Sequence, residues 1–114
     1  MKGEGEYRDY VEDMLEATDK VAVFIAGMTE ADFLADERTQ FAVVRALEIL
    51  GEASKKVPPS FKAGHNEIPW REIAGMRDKL VHDYFGVNAA VVWRTVMEDV
   101  PAIARGLRKA AGTN

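Results

Sequence analysis

The chain has 114 residues, 47% of them apolar and 30% charged, with a formal net charge of −4 and no cysteine. That composition describes one soluble globular domain with a single modest core, and it excludes a disordered chain, a disulfide scaffold and a thiolate metal site. Nineteen acidic residues against fifteen basic ones exclude a protein held to nucleic acid by bulk charge alone, though not an enzyme with a small local basic cleft.

Met1 to Glu6 is polar and reads as a frayed tail without the apolar core of a signal peptide. From Tyr7, the positions Val11, Met14, Leu15, Thr18, Val21, Ala22, Ile25 and Met28 recur at three- and four-residue steps, which predicts an amphipathic helix ending near Gly27. Its longest apolar run, Val21 to Met28, is too short to span a bilayer, so the expected location is the cytoplasm, with no membrane partner. Thr29-Glu30-Ala31-Asp32 resembles a capping box that starts a short turn. Asp36 suits the N-cap of a second helix, whose expected buried stripe is Phe41, Val43, Val44, Leu47, Leu50 and Ala53. Gly51 sits inside that helix at a cost of about 1 kcal/mol relative to alanine, which a close helix–helix approach would explain.

Val57-Pro58-Pro59 ends the second helix, and a polar loop is expected as far as Asn66. Pro69 opens a third helix, with Trp70, Ile73, Ala74, Arg77, Leu80, Val81 and Tyr84 at helical spacing and Gly86 as its stop. Asn88 suits the N-cap of a fourth, whose stripe is Val92, Val96, Val100, Ile103 and Leu107. Pro101 within that pattern predicts a kink or restart near Asp99 to Val100. The expected fold is all-α, an up-and-down antiparallel four-helix bundle, as one domain over residues 1–114 with a core of about 7–110.

The stretch Met76 to Gly86 concentrates the chemistry. His82 is the side chain best suited to move protons near neutral pH, and Asp78, four residues earlier, can accept from one ring nitrogen and orient it. The bland alternative is a histidine whose charged form suits a helix C-terminus. Arg77 can bind a phosphate through its planar fork of donors, or pack its stem and pair with Asp78, Glu72 or the second helix. Five residues on an ideal helix amount to about 140° of rotation, so Arg77 and His82 converge on one substrate only in a wrapping cleft or across a two-fold dimer. His65 reads as a solvated loop residue. The histidines lack metal spacing, and no Gly-rich phosphate loop or nucleophilic Ser or Cys signature is present, so neither a metal nor a cofactor is expected.

Arg77-Asp78-Lys79-Leu80-Val81-His82 resembles the R-x-x-x-x-H signature of HEPN domains, and with Tyr84 it is similar to the R-x-x-x-x-H-x-Y form of HepT toxins from toxin–antitoxin pairs. Tyr7-Arg8-Asp9-Tyr10 with Met14-Leu15, the run Arg45 to Ala53, Pro69-Trp70 and Val100-Pro101 extend the resemblance over about residues 7 to 105. Asn88 stands where relatives often carry Asp, a swap that keeps the N-cap. The resemblance implies a homodimeric or higher-order, metal-independent endoribonuclease. In it the RNA 2′-hydroxyl attacks the adjacent phosphorus, His82 acts as general acid or base, Arg77 holds the phosphate and Asp78 orients them. It also implies an MntA-type nucleotidyltransferase antitoxin that transfers AMP to Tyr84. A second reading, in a different class, is a non-catalytic helical partner or nucleotide-binding subunit of a minimal nucleotidyltransferase, which the acidic net charge favours.

Overall fold

The computed structural model describes residues 2–76 and 88–112, and every described element is a helix or a turn. The order is α1 Lys2–Phe24, α2 Glu30–Leu34, α3 Glu37–Lys56, α4 Pro59–Ala63, α5 over residues 70–76, α6 Ala89–Arg94, a π-helical turn Thr95–Asp99, and α7 Val100–Ala110. The all-helical expectation is borne out. The long helices α1 and α3 pack on each other, α7 packs on α1, and α2 bridges α3 and α6.

Local chemistry sets most of the boundaries. α1 begins at Lys2 rather than at Tyr7, so the stretch expected as a tail belongs to the helix. It stops at Phe24, and Gly27 takes a left-handed φ of 78°, a conformation open to glycine at no steric cost. The chain is thereby turned into the capping box of α2: Thr29 Oγ1 accepts from the Asp32 N–H at 3.1 Å, and Asp32 accepts from the Thr29 N–H at 3.0 Å. Asp36 caps α3 by accepting from the Thr39 N–H and the Thr39 hydroxyl at 3.0 and 2.7 Å. Asn88 caps α6 by accepting from the Val91 N–H.

Val11, Met14, Ala17 and Val21 of α1 share one buried core with Val43, Val44, Leu47, Leu50 and Ala53 of α3 and with Val92, Val96, Val100, Ile103 and Leu107 of the C-terminal helices. Each large aliphatic side chain so buried contributes about 1.5–3 kcal/mol. The two buried hydroxyls, Thr18 and Ser54, donate to the Leu15 and Gly51 carbonyls within their own helices, so neither is left unsatisfied.

Three expectations are corrected. Phe41 does not belong to the buried stripe of α3: it is 55% exposed. The stretch after Pro58 is not all loop, since Pro59–Ala63 forms the short helix α4, opened by a proline that needs no N–H there. His65 is a loop residue as expected, but it is half-buried and held in place. It donates from Nδ1 to the Phe61 carbonyl at 2.9 Å, its ring stacks on Phe61 at 4.1 Å, and its own carbonyl accepts from Trp70 Nε1 at 3.0 Å. The irregularity expected near Pro101 takes a definite form. Proline would clash with the carbonyl four residues back. The turn widens instead, and the Val100 N–H reaches the Thr95 carbonyl before α7 resumes with Pro101 in its first turn.

Candidate functional site

Arg77, Asp78, His82 and Tyr84 lie outside the described residues. The structure defines what borders them. On one side is α5, anchored by Ile73 and Met76, both buried in the core. On the other is Asn88, the cap of α6, whose Trp93 ring sits 5.3 Å from that of Phe33 in α2. Gln40 of α3 in turn donates through Nε2 to the Phe33 and Leu34 carbonyls at 2.9 and 3.2 Å. The segment 77–87 therefore leaves from a buried residue of α5 and returns to a helix locked onto α2, which is itself locked onto the first turns of α3.

Two surfaces adjoin these anchors. The first is a cleft of about 410 Å³ between α5 and the π-turn with α7. Among the described residues, its lining includes Met76 and Ile103 and three carboxylates, Glu72, Glu98 and Asp99, and no cationic side chain. The second is the outer face of α3, where Arg38, Phe41 and Arg45 are exposed and Arg45 reaches Glu48 at 3.5 Å. Near α2, the Asp36 carboxyl is held below its ordinary value of 3.8, chiefly by the Thr39 hydroxyl and N–H that donate to it.

Sequence reasoning placed the candidate chemistry in the third helix and missed both surfaces, since neither the acidic cleft nor the exposure of Phe41 has a local signal. Among the described residues no three His, Asp or Glu side chains are grouped to hold a metal ion, and no helix is long and apolar enough to cross a membrane.

An all-helical domain whose sequence carries an R-x-x-x-x-H motif defines a narrow class, and comparison with known proteins identifies it. Residues 14–110 match the family described as "Ribonuclease HepT-like". The chain is 56% identical over 97 residues to the "Probable ribonuclease HepT" of Thermococcus cleftensis, covering 85% of this chain and 88% of that protein. It is 40% identical over 102 residues to a candidate RNase of Caldanaerobacter subterraneus subsp. tengcongensis, covering 90% and 91% of the two chains. It is also 40% identical over 100 residues to a candidate RNase of Methanocaldococcus jannaschii, covering 88% and 83%. No solved structure matches. The chain belongs to the HepT-like ribonuclease family, and the enzyme class expected from its motif, a ribonuclease, stands.

Proposed function

We propose that the protein is a metal-independent endoribonuclease toxin that cuts RNA by internal transesterification. The observation that carries this reading is the family match over residues 14–110, which spans the whole motif Arg77 to His82. The RNA 2′-oxygen forms the new bond to phosphorus, the bond from phosphorus to the 5′-oxygen breaks, and the products are a 2′,3′-cyclic phosphate and a 5′-hydroxyl end. The 2′-hydroxyl proton leaves to a base and the departing 5′-oxygen takes a proton from an acid; His82 supplies this proton transfer. Arg77 neutralises charge developing on the non-bridging oxygens, and Asp78 orients the histidine. The nucleophile belongs to the substrate, so the step needs no metal-activated water.

The same reading makes the active assembly a homodimer, because about 140° of helix rotation separates Arg77 from His82 and a two-fold axis brings two copies of the segment together. It also makes Tyr84 the point of control, through transfer of AMP from ATP by an MntA-type nucleotidyltransferase antitoxin, with pyrophosphate released. The direct test is incubation of purified protein with RNA in excess EDTA, reading product ends by mass spectrometry. Cyclic-phosphate ends are the expected result. Cleavage abolished by the chelator overturns the mechanism, and a protein that cuts no RNA but still binds a nucleotidyltransferase is the non-catalytic partner instead.

A further inference from the structure

Phe41 is the largest departure from the expected burial pattern, and it stands between two arginines. At 100° per residue, Arg38, Phe41 and Arg45 fall within about 60° of one another on α3, one to two turns apart. All three are exposed. Arg38 makes no ion pair among the described residues, and Arg45, itself exposed, makes one there with the half-buried Glu48 at 3.5 Å. Such a pair is weak, so a competing phosphate can displace the carboxylate readily. Glu37 and Glu52 also lie on this side of α3 and are exposed.

We infer that the Arg38–Phe41–Arg45 stripe binds a single-stranded stretch of the RNA substrate, with Phe41 stacking on a base and the two arginines holding phosphates. This rests on the ribonuclease reading above. Single-stranded nucleic acid is held by cationic side chains along its backbone with aromatic rings for its bases, and the stripe supplies both. The placement agrees with the motif's anchors. Gln40, between the stripe residues in sequence, ties α3 to α2, and α2 holds α6 directly after the motif. The cleft beside the motif carries Glu72, Glu98 and Asp99 and no aromatic ring among the described residues.

The test is binding of a fluorescein-labelled single-stranded RNA with 2′-O-methyl riboses, read by fluorescence anisotropy over a series of salt concentrations. That RNA has no attacking hydroxyl, so the readout is independent of cleavage. Phe41→Leu keeps apolar bulk and loses the ring; it should weaken binding about tenfold, and Phe41→Trp should restore it. Arg38→Ala and Arg45→Ala should each lower the slope of log affinity against log salt by about 0.7. Lys20→Ala, which removes an exposed charge paired with Glu16 on α1, should leave binding and slope as in the parent. Steady-state cleavage of ordinary RNA should show raised KM and unchanged kcat in the stripe variants. Parent-like affinity in Phe41→Leu and both arginine variants overturns the inference while leaving the ribonuclease reading intact. A parent that binds the methylated RNA but cuts no RNA overturns the reaction and leaves the binding face standing. Light scattering on each variant supplies the remaining outcome: if affinity is lost only where the oligomer is lost, the stripe is a contact between copies and the inference fails.

Discussion

Gly106 of α7 and Ile68 approach so closely that a Cβ built on the glycine would lie 2.9 Å from Ile68 Cγ1. Ile68 is buried, and Cγ1 sits one bond from its Cβ, so it has little room to swing aside. The contact brings the turn before α5 against α7, and it positions the helix that leads into the motif. Gly106→Ala gains up to about 1 kcal/mol of helix propensity, but overpacking costs about 1–3 kcal/mol, so a net loss of about 1 kcal/mol in chemical denaturation is expected. Gly75→Ala is the contrast, since its Cβ would meet nothing within 4 Å. That variant should be more stable than the parent by up to about 1 kcal/mol. A stabilised Gly106→Ala would show that Ile68 moves freely.

His82→Ala and Arg77→Ala should each reduce RNA cleavage by at least about 10²-fold with the helical circular dichroism of the parent retained. The double variant should be little worse than either single one, because two groups acting on one transition state are not additive. Variants that cut RNA as fast as the parent would remove both residues from the reaction.

Tyr84→Phe should keep folding and nuclease activity, since its hydroxyl has no part in the proposed transesterification. The phenylalanine variant should resist inactivation by the nucleotidyltransferase and ATP. On the proposed reading, one AMP on the parent would add a negative charge and a bulky nucleoside two residues from His82, where it would compete with incoming RNA for Arg77. Mass spectrometry of the treated parent should find AMP on the peptide holding Tyr84. An adduct elsewhere, or a silenced phenylalanine variant, would end this assignment.

The cap of α3 should be sensitive to acid. Asp36 has a lowered pKa in the folded chain because Thr39 donates to its ionised form. Its stabilising contribution is therefore full above the ordinary value of 3.8 and is lost as pH falls through the lowered one. Asp36→Asn caps a helix as well as aspartate does but does not titrate there. Thermal melts from pH 6 to pH 2 should show a shallower acid loss in the variant than in the parent. Parallel curves would mean that the cap is not formed through the carboxylate.

The helices themselves were legible because their signals are local. Thr29 with Asp32, Asp36 and Asn88 all cap as their residue types predict, and apolar spacing in α1, α3 and the C-terminal helices named most of the core, though not Phe33, Val57, Ile68 or Met76. The candidate reaction is read from an equally local cluster: Arg77, Asp78, His82 and Tyr84 lie within eight residues, and family likeness attaches proposed roles to that spacing. Periodicity assigned Phe41 to the core because it counts positions along one helix. Burial depends on which neighbours cover that face, and α1, α2 and α6 leave Phe41 55% exposed. Likewise Pro101 announced an irregularity, but its resolution as a π-turn depended on α7 keeping Val100, Ile103 and Leu107 in the core. The acidic cleft joins Glu72 to Glu98 and Asp99 across two helices, and Gly106 meets Ile68 from 38 positions away. Capping and helical periodicity act within a few residues of chain and can be read from the sequence; coverage, close approach and charge across helices exist only once distant segments have packed.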